Sequence, residues 1–83
     1  MRIDLALKYL CLAKSRSAVK TLCDRHALWL NDREAKPSSS VHINDRVRME
    51  TPSATRVISL LDIPEKQLSK IDAPAYYRVI DES

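Results

Sequence analysis

Residues 14–32 read KSRSAVKTLCDRHALWLND, and a change of rhythm inside this stretch decides the fold. From Ser15 to about Arg25, Val19, Leu22 and Cys23 recur at helical spacing, and the Ser15 hydroxyl is placed to cap the helix start. From Leu28 the pattern becomes a short strand, Leu28-Trp29-Leu30. It runs into Asn31-Asp32, a residue pair suited to a tight hairpin turn. A basic helix therefore feeds directly into a hairpin. Arg16 and Lys20 are four apart and share a helix face. Lys14, Ser15 and Arg16 lie at the helix start, where free amides and the helix dipole favour an anion.

Working outward, Ile3, Ala6, Leu7 and Leu10 follow one helix face and predict a first helix, with Asp4 as its N-cap or as an ion-pair partner of Arg2. The link Cys11–Lys14 is short, so the two helices are expected to pack together. Downstream, residues 33–36 return from the hairpin and Lys36-Pro37-Ser38-Ser39-Ser40 is a loop. Val41 and Ile43 precede a second tight turn at Asn44-Asp45. Arg46-Val47-Arg48-Met49 alternates as a strand with Val47 and Met49 inward. Thr51-Pro52-Ser53 breaks the chain. Residues 56–63 read as a strand, 64–74 as a polar loop and 75–80 as a last strand with Tyr76 and Tyr77 on opposite sides. The expectation is an α+β unit over residues 1–50 with a β extension over residues 51–83.

The chain has no glycine in 83 residues, where average usage predicts about six. Left-handed backbone positions must then fall to Asn, Asp or His, the side chains that tolerate them best. Three positions are marked: His26 just past the second helix, a C′ site, and Asp32 and Asn44 in the two tight turns. For His26 this competes with a ligand-contact role.

Length and composition bound the function. One small domain with a thin core is expected. Charged residues make up 30% and the longest apolar runs are interrupted by charges, so neither a disordered chain nor a bilayer span of about 18 residues fits. Asp4 follows Arg2 almost at once, unlike a secretory leader, and a cytoplasmic, membrane-free protein is expected. Cys11 and Cys23 form no CxxC and are expected to be buried, reduced thiols. No metal site, cofactor motif or catalytic set is visible. The histidines are only His26 and His42, and glycine-rich phosphate loops are excluded outright. Charge, however, is asymmetric. Residues 1–50 hold ten basic against six acidic side chains, a balance of +4, while residues 51–83 hold four against five, a balance of −1. A polyanion is the partner such a basic half suggests.

The run Arg2-Ile3-Asp4, Leu7, Lys14-Ser15-Arg16, Val19, Leu22, Ala27-Leu28-Trp29-Leu30-Asn31-Asp32, Lys36, Ser38-Ser39, Val41, Asn44-Asp45 resembles the S4 RNA-binding domain. The family pattern is roughly R-L-D, then S-R at the second helix, then G-x-V-x-V-N-G, then a loop and G-D. Its order and spacing are matched over residues 1–50, and the family's glycines fall where this chain has His26, Asp32 and Asn44. The resemblance implies two helices packed on a small bent, mostly antiparallel sheet (the alpha-L motif), with a positive face for structured RNA. By position it implies RNA contacts from Arg2, Lys8, Lys14, Ser15, Arg16, Lys20, Arg25, Asn31 and Lys36. Trp29 is open between stacking on a base and packing against the C-terminal segment, and Asn31 between contact and turn.

No attached enzyme domain is expected within these 83 residues. The chain is similar instead to the small stand-alone S4 members, the RqcP and bacterial heat-shock S4 group, with a looser match in the tail. That resemblance implies a non-catalytic protein that binds rRNA and peptidyl-tRNA on stalled large ribosomal subunits and supports a peptide-tailing factor; a monomer is the default expectation. The alternatives are an S4 ribosome assembly factor, a protein-interaction module, and, more weakly, a DNA-binding helix-turn-helix.

Overall fold

In the computed structural model, which describes residues 1–83, the first helix, α1 (Ile3–Tyr9), has only seven residues. A helix that short has no stability of its own, so both its ends are tied to other parts of the chain. At its start the Ile3 and Asp4 amides donate to the carbonyls of Ser39 (2.7 Å) and Pro37 (3.3 Å). Backbone from the 37–39 loop thus does the work expected of a side-chain cap. The N-cap is accordingly Arg2 and not Asp4, which lies inside the first turn. At its end Cys11 turns left-handed (φ 60°). The Leu12 amide reaches back to Leu7 (3.0 Å) and the Cys11 amide to Lys8 (3.1 Å), the two bonds of a Schellman ending.

The second helix, α2 (Arg16–Asp24), begins as expected: Ser15 Oγ accepts from the Ala18 amide at 3.1 Å. It ends in the same motif as α1. His26 is left-handed (φ 57°), and the His26 and Ala27 amides donate to Cys23 (3.0 Å) and Leu22 (2.8 Å). Val19 is fully buried, with Leu22 and Cys23 packed beside it.

Five strands follow in one antiparallel sheet: β1 (Leu28–Leu30), β2 (Arg33–Glu34), β3 (Arg46–Glu50), β4 (Thr55–Leu60) and β5 (Tyr77–Glu82), in the order β2-β1-β3-β4-β5. Asn31 (φ 51°) and Asp32 (φ 67°) are both left-handed, as a type I′ hairpin turn demands. Asn44 (φ 75°) serves the second turn. The register places Leu28 opposite Met49 and Val47 opposite Ile58. Leu28, Val47 and Ile58 are buried completely beneath the helices, together with Ile3, Leu7 and Leu10. Burying each such side chain contributes roughly 1.5–3 kcal/mol. Residues from beyond position 50, Ile58 and Leu60 above all, belong to this same core.

Three local expectations are corrected. Cys11 and Cys23 are free but only half-buried. The strand expected at 56–63 is β4 and ends at Leu60, where the Leu61 and Asp62 amides both turn to the Tyr76 carbonyl. Tyr76 closes a short 3-10 turn, Ala73–Tyr76. Tyr76 and Tyr77 therefore do not alternate across a strand, and both pack against the core. No helix is long and apolar enough to cross a membrane.

Candidate nucleic-acid interface

Two of the expected basic residues, Arg2 and Arg16, meet on one buried carboxylate. Asp4 projects from the first turn of α1, and only 5% of its side chain is exposed. Its Oδ1 accepts from Arg2 Nε (3.1 Å) and from the Leu5 amide (2.8 Å). Its Oδ2 accepts from Arg2 Nη2 (3.0 Å) and from Arg16 Nε (3.3 Å). Burial by itself would raise this carboxyl's pKa. The hydrogen bonds from Arg2, Arg16 and the Leu5 amide, with the Arg16 charge, outweigh burial and hold it below the ordinary aspartate value.

The two guanidinium groups remain half-exposed. Asp4 thus fixes one edge of Arg2 and holds Arg16 through Nε alone, leaving other N–H donors of both facing solvent. Lys20 lies one helical turn beyond Arg16 and meets only the exposed Asp24, at 4.0 Å, a contact of little energetic weight. Arg2, Asp4, Arg16, Ser17, Lys20, Pro37 and Ser38 line one open pocket of about 470 Å³. The Pro37-Ser38 wall is held there by the same amide bonds that start α1. Two arginines and a lysine around one carboxylate make a preorganised positive seat with room for an anion.

The other expected contact residues are placed differently. Lys8 and Lys14 line a second pocket, beside the link between the helices. The Ser15 hydroxyl is engaged in capping. Arg25 is the C-cap of α2, about 13 Å along the helix from Arg16. Lys36 is exposed on the flank beyond Pro37. Asn31 joins the two tight turns: its Nδ2 donates to Asp45 Oδ1 and its Oδ1 accepts from the Arg46 amide, both at 2.9 Å. Its side chain is committed to the hairpin.

Trp29 lies on the sheet face away from the helices, since its neighbours Leu28 and Leu30 face the core. The Arg48 guanidinium covers the ring at 5.0 Å, and Val57, Ile80 and Asp81 share its surroundings. The indole thus lies under Arg48 and lines an open pocket with side chains of the C-terminal strands. Burial pushes the Cys23 thiol pKa up, and the charges of Asp24, Asp4 and Glu34 push it the same way. Such a thiol is no nucleophile at neutral pH.

Fold and site together define the class: a small S4-like α+β module with a cationic pocket on its helical layer. No family model matches the chain. An RQC P-site tRNA stabilizing factor of Helicobacter pylori is 32% identical over 77 residues, which span 92% of this chain and 92% of that protein. One from Streptococcus pneumoniae is 28% identical over 83 residues, 100% of this chain and 93% of that protein. The chain belongs to this family, the small stand-alone S4 group. Among solved structures it is similar to trimeric Heat Shock Protein 15 of Vibrio cholerae, with a TM-score of 0.88 at 24% identity over 95% of this chain and 80% of that one. A hypothetical protein solved in solution superposes with a TM-score of 0.82 at 29% identity, over 98% of both chains.

Proposed function

We propose that this protein binds RNA without catalysis, holding peptidyl-tRNA and large-subunit rRNA on ribosomes that have stalled. The observation that carries this reading is the pair Arg2 and Arg16 fixed on the buried Asp4 carboxylate. Each guanidinium keeps free N–H donors at a set orientation, which suits the two-point recognition of a phosphate. Lys20 adds a mobile charge, Lys8 and Lys14 extend the cationic surface, and Arg25 and Lys36 lie at its margins. The relatives' name, P-site tRNA stabilizing factor, supports the choice of tRNA as partner. A rigid patch of this kind reads backbone shape in preference to base sequence.

The test is co-sedimentation with large ribosomal subunits that carry peptidyl-tRNA. The double variant Arg16→Ala, Lys20→Ala is expected to stay in the supernatant while the parent protein pellets. Unaltered pelleting of the double variant overturns the basic-seat mechanism. Pelleting only with immature particles would make the chain an assembly factor.

A further inference from the structure

The loop between β4 and β5 carries a lysine to the helical layer, where nothing in the N-terminal half points to it. Gln67 Nε2 reaches the Lys8 carbonyl (3.1 Å) and the Tyr9 carbonyl (3.3 Å). The Leu68 amide also donates to Tyr9, at 3.0 Å. In return Cys11 Sγ lies 3.2 Å from the Leu68 carbonyl. The loop thereby satisfies the Tyr9 carbonyl, which the end of α1 would otherwise leave open, and adds a second donor to the Lys8 carbonyl already held by the Cys11 amide. Ser69 then turns the chain: its hydroxyl accepts from the Asp72 amide and its carbonyl from Ala73. Lys70 lies on that turn.

The consequence is a pocket lined by Lys8, Lys14 and Lys70 with Gln67, and no carboxylate in its wall. None of the three ammonium groups is in a salt bridge, whereas Arg46, Arg48 and Arg56 on the sheet are each paired with an acid. Lys8 is one turn along α1 from Asp4, about 6 Å in rise, so the two pockets are lined from neighbouring turns of the same helix.

We infer that Lys70, held by the Gln67-docked loop, joins Lys8 and Lys14 in a second seat for RNA phosphate, adjacent to the first. This rests on the RNA-binding reading above and extends it to the C-terminal part of the chain. Each phosphate contact adds about 0.7–0.9 to the slope of log affinity against log salt.

The experiment is titration of the full chain with bulk transfer RNA, followed by fluorescence anisotropy between about 50 and 200 mM salt, for the parent, Arg16→Ala, Lys70→Ala and Gln67→Ala. Loss of one contact lowers the slope by about 0.7–0.9, so affinity falls about threefold less across this range than it does for the parent. Lys70→Ala is expected to show this change, and Gln67→Ala to show it too while keeping every charge. If Arg16→Ala weakens binding but Lys70→Ala matches the parent, the second seat is wrong and the first stands. If Lys70→Ala shows the change and Gln67→Ala does not, the docked loop is not what places the lysine. If Arg16→Ala also leaves binding and slope unaltered, the RNA reading fails with the inference.

Discussion

The Arg2 guanidinium lies edge-on to the Asp4 carboxylate, with Nε 3.1 Å from Oδ1 and Nη2 3.0 Å from Oδ2. Two parallel bonds fix the plane of the arginine as well as its position. Arg16, twelve residues on, uses the same carboxylate. The negative charge that looks out of place on an anion-binding surface is what orients the positive ones.

Asp4→Asn tests this directly, because charge and orientation predict opposite outcomes. The variant is one unit more positive, and charge alone would strengthen RNA binding. Orientation predicts weaker binding, since the neutral amide holds neither guanidinium as firmly. Weakening by about 5- to 100-fold is expected if binding loses one charge-assisted hydrogen bond's worth of placement, about 1–3 kcal/mol. Anisotropy against transfer RNA reads the sign, and tighter binding would refute the positioning role.

The same carboxyl sets an acid limit on stability. Its folded-state pKa is depressed, so its contribution is fully present above the unfolded-state value of about 3.9. As pH falls through that value toward the lower folded one, the contribution is lost, and below both it is absent. Urea titrations of parent and Asp4→Asn are expected to differ near neutrality and to converge as pH falls below both the unfolded and the depressed folded value. A difference that is the same at every pH would mean that the carboxylate's charge plays no part.

Arg2→Lys keeps the charge and removes the fork. Lysine offers a point charge on a flexible stem and cannot hold both Asp4 oxygens in one plane. Weaker RNA binding with little change in salt slope is expected, because the phosphate contact persists but is poorly aimed. A parent-like affinity would show that charge suffices at this position.

The turns were legible before the coordinates because glycine is missing. His26, Asp32 and Asn44 are the residues that tolerate left-handed backbone at points where elements end, and all three adopt it. Cys11 does so too, and nothing in the sequence marks it, since a thiol carries no left-handed preference. The α2 cap at Ser15 and the inward pair Val47 and Met49 are equally local signals. The bond between Gln67 and the end of α1 spans more than fifty residues, and no periodicity encodes it. Arg2 and Arg16 were visible as basic residues, but their common anchor depends on how two short helices pack.

Backbone strain at His26 yields a prediction of its own. A residue with a Cβ pays about 1–2 kcal/mol in this conformation, offset in glycine by a larger loss of backbone freedom on folding. The pairing of the exposed His26 ring with Glu34 contributes little. His26→Gly is therefore expected to raise stability by up to about 1 kcal/mol. A higher urea midpoint checks this, and a lower one would show that the His26–Glu34 pair outweighs the strain.

The last prediction concerns the C-terminal strands. Ile58 is fully buried opposite Val47, in the cluster that holds Ile3 and Leu7. Removing its side chain beyond Cβ leaves a cavity at the centre of that cluster, so Ile58→Ala is expected to cost about 2–5 kcal/mol. A domain of this size has only about 5–10 kcal/mol in hand. Cutting the chain after residue 50 removes β4 altogether and exposes the edge of β3, with Val47 and Met49 uncovered on the core face. Circular dichroism of the shortened chain is expected to show no cooperative unfolding transition. A cooperative transition there, with Ile58→Ala costing less than about 1 kcal/mol, would mean that residues 1–50 fold by themselves and that β4 and β5 are an accessory layer.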